Sequence, residues 1–193
     1  RTLRSLLKSI NKASLEFNFL DLGSSPPSNA YLEVSQLEKP EIVFPLKVKV
    51  CHKCWLVQTE DYADASKLFD SDYAYFSSTS ESYLKHAADY SKKMINNFKL
   101  NKDSFVMEIA SNDGYLLRNF LDNQIPCVGI EPTDSTAEKA EKLNIPTVRE
   151  FFGQDFAKKF IKHNKKADLI IGNNVYAHVP DINDFTSGIK VVL

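Results

Sequence analysis

The sequence predicts an α/β fold, with a parallel β-sheet in its second half and a small β-rich module before it. From Phe105 onward, short apolar runs alternate with helical patterns, as is typical of parallel sheets. The first of these runs, Phe105–Ala110, leads through a tight turn, Ser111–Gly114, directly into an apolar helix. In the first half, Cys51 and Cys54 lie between two shorter strand-like segments.

The composition limits the classes of function. The 193 residues are 43% hydrophobic and 25% charged, with a net charge of −1, which is typical of a soluble globular protein. Without a basic block, nucleic acid is not an expected partner. No apolar run approaches the ~18 residues of a membrane span. Three cysteines do not form a disulfide scaffold and favour a reducing compartment, so we expect a cytoplasmic protein. The sequence does not predict the oligomeric state.

The N-terminal part is expected to contain two segments. Residues 1–14 predict a basic amphipathic helix or a tail, because the first twelve residues include four basic and no acidic side chains. Residues 15–66 predict a β-rich module with strands over Leu15–Leu22, Ile42–Val50 and Trp55–Thr59.

Cys51 and Cys54 join two of these strands in the manner of a zinc knuckle. A tight turn allows both thiolates to point at one metal ion. A closed structural zinc site needs four ligands, however, and the sequence has no second C-x-x-C, while Cys127 lies in a predicted core strand. Zinc could therefore bind, but half of the ligand set is missing, and a pair of small turn thiols is the alternative.

An aromatic and hydroxyl-rich segment precedes the predicted sheet, with Tyr75 and Phe76 next to Ser77 and Ser78. Such a segment beside a cleft is suited to hold a sugar or an adenosyl group. The alternative is that the tyrosines pack and that Ser78 forms a capping box with Glu81 at the start of a helix. Helical spacing predicts that the buried stripe of this helix consists of Leu84, Ala87, Ser91, Met94 or Ile95, and Phe98.

The turn Ser111–Gly114 is typical of a nucleotide-type ligand site. A helix beginning near Tyr115 would direct its free N–H groups at the ligand. Gly114 would allow a left-handed backbone and the close approach of a ligand. The dinucleotide fingerprint is absent because Ala110 and Asn112 replace its glycines, which disfavours NAD.

The second predicted strand, Cys127–Glu131, ends in an acid. A carboxylate in this place suits a ribose, because it offers paired acceptors to two hydroxyl groups. The alternative is that Glu131 caps the following helix, whose first turn would hold Thr133 and Asp134.

Two further strands are expected over Pro146–Val148 and Asp168–Gly172. Open parallel sheets bind ligands at the carboxyl ends of their strands, so the loops there should form one crevice. His178 is the best acid–base candidate, because a histidine can exchange a proton near neutral pH; the alternative is a histidine that caps backbone groups. His52, His86 and His163 are expected to be surface or packing residues. The crevice is expected to contain Ser111–Gly114, Glu131, Phe151, Phe152 and Asn173–His178.

Several stretches together resemble a known family, the sugar C-methyltransferases that depend on S-adenosylmethionine (SAM). The spacing of Glu108, Ala110 and Gly114 is similar to motif I of class I SAM-dependent methyltransferases, in which position 110 is usually glycine. The stretches that carry the resemblance are Asp21–Leu32, Val50–Gln58, Asp72–Ala87, Glu108–Leu117, Gly129–Pro132 and Asn173–Phe185.

The resemblance implies a Rossmann-like class I methyltransferase fold over residues 67–193, with its first four strands present, after a zinc-binding module. It also implies a nucleotide-activated keto-deoxysugar as substrate, methylated by SAM through an enolate. Tyr75 and His178 would be catalytic, Tyr75–Ser78 would bind the substrate, and Cys51 and Cys54 would bind metal. The residues expected to hold SAM are Glu108, Ala110, Ser111, Asn112, Gly114, Glu131, Phe152, Asn173 and Asn174.

Two departures from the family lead us to expect an N-terminal fragment. The family's first C-x-x-C is absent before Asp21, and the chain stops in the helix after the fourth strand. That strand would form an apolar edge of the sheet. The alternative hypothesis is a non-catalytic remnant that binds SAM or a nucleotide.

Overall fold

The structure is a computed structural model that describes residues 13–28, 31–60 and 75–193. The chain divides into two compact units between Leu68 and Phe69. Nearly all of the predicted N-terminal helix lies outside the described residues. The predicted domain boundaries stay a prediction.

The described part of the first unit contains an antiparallel sheet in the order β1-β2-β3. Its strands are β1 (Leu15–Ser25), β2 (Phe44–Cys51) and β3 (Val57–Thr59). A 3-10 turn, Val34–Gln36, lies between the first two. The β-rich character of this module is therefore confirmed, although the strand bounds differ by a few residues.

The core of this unit is small. Among the described residues it consists of Ala13, Leu15 and Cys51, with Leu56 packed against them. Large apolar side chains remain accessible along the strands, including Phe19, which is 69% exposed.

The second unit contains the predicted parallel sheet, in the order β6-β5-β4-β7. The central strand β4 pairs in parallel with β5 on one side and with β7 on the other. Among the described residues β7 pairs only with β4, so it forms an edge. The strands are β4 (Val106–Ile109), β5 (Cys127–Ile130), β6 (Thr147–Val148) and β7 (Leu169–Ile171).

Helices cover both faces of this sheet, as parallel strands require. Val106 packs on one face, in a cluster with residues of α1 and α2, whereas Met107 packs on the opposite face with residues of α4 and α5. The helices are α1 (Glu81–Phe98), α2 (Leu117–Asp122), α3 (Asp134–Lys142), α4 (Gln154–Phe160) and α5 (Ile182–Val192).

The start of α1 differs from the prediction. Its N-cap is Ser80, whose side chain accepts a hydrogen bond from the Tyr83 N–H, so the predicted capping box is wrong. Ser78 instead belongs to a 3-10 turn, Ser77–Thr79, that precedes the helix. The spacing from Ser78 to Glu81 is typical of a capping box and does not predict a 3-10 turn.

The buried stripe of α1 is also shorter than predicted. Ala87 and Ser91 are buried, but Phe98 is 56% exposed. Phe98 lies in a groove beside β7, together with Leu169. The stripe therefore ends before the last turn, because that turn lies at the edge of the sheet.

The helix after β4 begins later than predicted. Tyr115 and Leu116 form a buried turn, and α2 starts at Leu117. The Arg118 N–H donates to the carbonyl of Gly114 at 3.1 Å, which closes the turn.

Candidate functional site

The loop after β4, residues 110–114, is the centre of the candidate site. The Ala110 N–H donates to the carbonyl of Ile130 at 2.8 Å, which anchors the loop beside β5. Ala110, Asn112 and Gly114 all have a left-handed backbone, with φ of 56°, 52° and 78°. This conformation costs a residue with a Cβ about 1–2 kcal/mol, so glycine would be the less strained residue at position 110.

Gly114 has the predicted left-handed conformation. A Cβ at this position would overlap the Ile145 side chain and would lie 3.2 Å from the Cβ of Ala140. Packing alone therefore calls for glycine here, and the close approach of a ligand to this backbone stays a prediction. Gly114 is needed for packing against α3 and the residues that follow it.

Asn112 and Asp113 hold the aromatic and hydroxyl-rich segment against this loop. The Asn112 amide donates to the carbonyl of Tyr75 and accepts from the Ser77 N–H, both at 2.9 Å. The Asp113 carboxylate accepts from the Ser78 N–H at 3.1 Å. These bonds join residues 35 or more positions apart. The predicted cofactor loop and the predicted substrate segment therefore lie side by side.

The side chains of this segment differ in accessibility. Ser77 is buried, whereas Tyr75 is 51% exposed. The Phe76 ring lies under the Lys139 ammonium, whose nitrogen is 3.4 Å from the ring centroid. Tyr75 is therefore the aromatic side chain of the pair that a ligand can reach.

Replacing Asn112 by alanine should release this segment from the loop. The change removes two hydrogen bonds and leaves a buried backbone N–H unpaired, which should cost about 1–3 kcal/mol. Amide hydrogen exchange at Ser77 and Ser78 should become faster. As a control, Asn119→Ala removes a local bond to the Leu116 carbonyl and should leave these two amides protected. Unchanged exchange in Asn112→Ala would show that the hydrogen bonds of the Asn112 side chain are not needed to hold this segment.

Glu131 lies at the end of β5, where the sequence predicted a carboxylate. One of its oxygens accepts from the Asn112 N–H at 2.8 Å, and the other accepts from the Thr133 N–H at 3.0 Å and from the Thr133 hydroxyl. The contacts to Thr133, which precedes α3, are those expected from the alternative interpretation, in which Glu131 caps this helix. A carboxylate offers roughly four acceptor positions, so the oxygen bound to Asn112 retains one for a ligand.

Three buried side chains in or next to the loop have oxygen atoms without a hydrogen-bond partner among the described residues. They are both carboxyl oxygens of Glu108, the hydroxyl of Ser111 and one carboxylate oxygen of Asp113. Burial, and then the charges of Glu131 and Asp113, raise the pKa of Glu108 well above its usual range. Unpaired buried polar groups are uncommon in proteins and call for a binding partner. The loop therefore carries buried oxygen atoms whose hydrogen bonds a bound water or ligand would complete.

Cys127 lies on the same strand as the predicted ribose carboxylate but does not supply a thiolate. Burial and the Glu108 carboxyl raise the pKa of this thiol to about 11. The sulfur lies 3.9 Å from the carbonyl oxygen of Leu117, to which the thiol donates. Cys127 is thus a neutral core residue, as the sequence predicted.

The loop after β7 joins the site through Asn173. Its amide donates to the Tyr115 hydroxyl at 3.1 Å. Asn174 is exposed with a left-handed backbone. His178 is exposed and ends a 3-10 turn, in which its N–H donates to the carbonyl of Val175. The imidazole is therefore accessible for proton transfer.

Phe152 packs within the apolar cluster under α4 and α5. Its ring centroid is 5.2 Å from that of Phe185 and 5.7 Å from that of Phe156. A Cβ on Gly188 would lie 2.9 Å from the Phe152 ring, so this packing is close. Packing alone accounts for the position of the Phe152 ring, and its predicted contact with SAM stays a prediction. The adjacent Phe151 is 49% exposed.

Sequence reasoning missed a group of polar side chains on α1. Tyr83, His86 and Tyr90 line a cavity that also contacts Tyr115 and Asn173. His86 is exposed and stacks on Tyr83, as expected of a surface or packing residue, and it also lines this cavity. The spacing of Tyr83, His86 and Tyr90, three and seven residues apart, places them on one helix face and could have revealed the group.

The described residues do not complete a zinc site. Cys51 is buried and accepts from the Lys53 N–H at 3.4 Å in the predicted tight turn, whereas Cys54 is exposed. Across residues 13–28, 31–60 and 75–193, no group of three or more histidine, cysteine or acidic side chains could hold a metal. Two thiols do not satisfy the four-coordinate geometry of structural zinc.

In the part of the chain that the structure describes, no helix combines the length and the apolar character needed to cross a membrane.

Comparison with known sequences connects both units to methyltransferases. Residues 10–69 match the family Methyltransf_13, described as "Putative zinc binding domain". The C-methyltransferase NovU of Streptomyces niveus is 26% identical over 174 residues, which cover 90% of this chain and 41% of NovU. The chain thus spans about two fifths of the length of this curated relative.

Two solved methyltransferase structures are similar to parts of this chain. The plantazolicin methyltransferase BpumL, in complex with a desmethylPZN analog and SAH, is 16% identical with a TM-score of 0.44, over 57% of this chain and 42% of BpumL. An S-adenosylmethionine-dependent methyltransferase from Clostridium acetobutylicum is 16% identical with a TM-score of 0.45, over 56% of this chain and 44% of that one. The predicted resemblance to methyltransferases is confirmed by the sequence comparisons.

Proposed function

We propose that this chain provides the cofactor site and part of the substrate site of a SAM-dependent C-methyltransferase that acts on a nucleotide-activated keto-deoxysugar. The observation that carries the proposal is the loop at residues 110–114. It presents buried, unpaired acceptor atoms and holds the segment with Tyr75 through Asn112. The similarity to NovU, which is named a C-methyltransferase, supports the same type of reaction.

The donor set of the loop fits SAM. Glu131 retains one acceptor position for a ribose hydroxyl, and the unpaired atoms of Ser111 and Asp113 can accept from the donors of an amino-acid group. When bound, SAM supplies an electrophilic methyl group. Burial of these side chains lowers the local dielectric constant, so hydrogen bonds made there are stronger than in water.

Two accessible side chains would act on the substrate. The His178 imidazole would accept the proton from the carbon next to the ketone, as the C–H bond breaks and its electron pair forms the enolate. The Tyr75 hydroxyl would donate a hydrogen bond to the keto oxygen and so stabilise the negative charge that develops there. His178 and Tyr75 are both exposed, as contact with a substrate requires.

A non-catalytic protein that binds SAM or a nucleotide is the second candidate. This second candidate is favoured by the hydrogen bonds that Glu131 and Asn112 make within the chain, because these bonds hold the loop at 110–114 in place without a ligand. The two candidates share the binding site and differ in turnover. A cytoplasmic location, expected from the cysteine content, stays a prediction.

Calorimetric titration with S-adenosylhomocysteine tests the cofactor site. We expect saturable binding of this ligand and no comparable binding of NAD. Glu131→Gln removes a charged acceptor, which should weaken binding about 10- to 100-fold. His178→Ala is the matched control, since it should leave this binding unchanged while it abolishes methyl transfer. Tighter binding of NAD than of S-adenosylhomocysteine would contradict the proposal, and turnover that survives His178→Ala would exclude the role of His178.

A further inference from the structure

A cavity of about 210 Å³ lies where α1, the turn before α2 and the loop after β7 meet. Six polar side chains line it: Tyr83, His86, Tyr90, Tyr115, Asn173 and Asn174. None of the six belongs to the loop at 110–114 or to the segment with Tyr75, so the cavity extends the candidate site onto a helix that the proposed mechanism does not use.

The size of the cavity indicates what can occupy it. At about 30 Å³ per water molecule, it has room for about seven waters. Sites that enclose a whole drug-sized ligand measure about 300–1,000 Å³. This cavity therefore suits one ring of a larger ligand and not a complete nucleotide-sugar.

Among the described residues, the lining contains hydroxyl, amide and imidazole groups but no carboxylate, ammonium or guanidinium group. Tyrosine hydroxyls are protonated at neutral pH; burial, and then the Glu108 carboxyl, raise the pKa of Tyr90 and Tyr115 further. Such a wall offers neither the cations that a diphosphate needs nor a counter-ion for an ammonium group. An uncharged partner with several hydroxyl groups matches it.

The wall is held in place before any ligand binds. The Tyr83 ring stacks on Tyr115, with centroids 5.0 Å apart, and on His86, with centroids 6.3 Å apart. The hydroxyls of Tyr83 and Tyr115 are 3.3 Å apart, and the Asn173 amide donates to the latter. These contacts order the side chains of Tyr83, Tyr115 and His86 in advance, which reduces the entropy cost of binding a ligand against this wall.

We propose that this cavity binds the uncharged sugar ring of the substrate, with the Tyr90 hydroxyl and the His86 imidazole as its hydrogen-bonding partners. The inference rests on the proposed function for the identity of that substrate. It assigns the sugar to α1 and to Asn173 and Asn174, in place of the SAM contact expected for these two asparagines from the sequence, and it leaves the phosphates and SAM outside the cavity.

NMR of the full chain with labelled tyrosine and histidine rings tests this assignment. We expect the ring signals of Tyr90 and His86 to shift with UDP-glucose but not with UDP or with S-adenosylhomocysteine. Tyr90→Phe should weaken the binding of UDP-glucose about three- to tenfold and leave the binding of UDP unchanged. Tyr31→Phe, an 80% exposed tyrosine in the first unit, is the matched control and should change neither.

Each other outcome has a definite meaning. Shifts caused by S-adenosylhomocysteine would assign the cavity to the cofactor and overturn the inference. If neither UDP-glucose nor UDP binds, the same NMR titration is carried out with free glucose at high concentration. Shifts of Tyr90 and His86 with glucose would support the sugar site while contradicting the nucleotide-linked substrate, and unchanged signals would overturn the inference. Failure of S-adenosylhomocysteine to bind would contradict the proposed function alone.

Discussion

Replacing Gly114 by alanine should destabilise the second unit by about 2–5 kcal/mol. The backbone at Gly114 has a φ of 78°, a conformation that costs alanine about 1–2 kcal/mol. The new Cβ would also overlap the Ile145 side chain and press on Ala140, and overpacking of this kind costs about 1–3 kcal/mol. The two costs act together because a shift of the loop to relieve one of them would break the contacts of Asn112.

Urea unfolding monitored on the second unit measures this loss. Gly23 provides a control for the backbone cost, since it has the same φ of 78°, but a Cβ added there would have no described atom within 4 Å. Gly23→Ala should therefore cost only about 1–2 kcal/mol, in the first unit. An equal cost at both positions would show that the contact with Ile145 is relieved easily.

The stability of the second unit should fall as the pH rises, and Glu108→Gln should remove this dependence. The pKa of Glu108 is raised in the folded protein, so the folded state keeps a proton that the unfolded state loses above about pH 4.5. This stabilisation is complete below the unfolded pKa and is lost as the pH rises through the folded pKa. The slope reaches about 1.4 kcal/mol per pH unit within that window.

Unfolding free energies of the wild type and Glu108→Gln, measured between about pH 5 and pH 8, test the effect. The difference in stability between the variant and the wild type should increase steadily with pH in favour of the variant. Glu138→Gln, at an exposed position on α3, is the control for the same change of side chain outside the core. Parallel pH profiles for Glu108→Gln and the wild type would mean that Glu108 is ionised in the folded state.

The sequence was sufficient for the parallel sheet, because its strands follow local patterns, whereas the site residues expected at the ends of these strands stay predictions. Apolar runs such as Phe105–Ala110 are buried strands, and a polar turn after each strand follows from the parallel topology. The carboxylate at the end of β5 was found for the same reason. Elements of this kind can be read from neighbouring residues.

The remaining features depend on contacts between distant residues. The bonds from Asn112 to Tyr75 and Ser77 span more than 30 positions, and no local pattern announces them. The same holds for Gly114, whose neighbour Ile145 is fixed only by tertiary packing. The sequence around Ser78 is typical of a capping box. In the structure, however, Asp113 accepts a hydrogen bond from the Ser78 N–H, and Ser80 is the N-cap of α1.

The two faces of the parallel sheet are completed at different times during synthesis. The cluster with α1 and α2 comes almost entirely from residues before position 146, whereas the opposite face needs α4 and α5, which end at Val192. At about 5–20 residues per second, the ribosome needs roughly 2–9 s to extend the chain from Val148 to Val192. During that interval Met107, Val128 and Ile130 lack their covering helices. Nascent chains of this protein therefore present one apolar sheet face to chaperones for seconds before it can be buried.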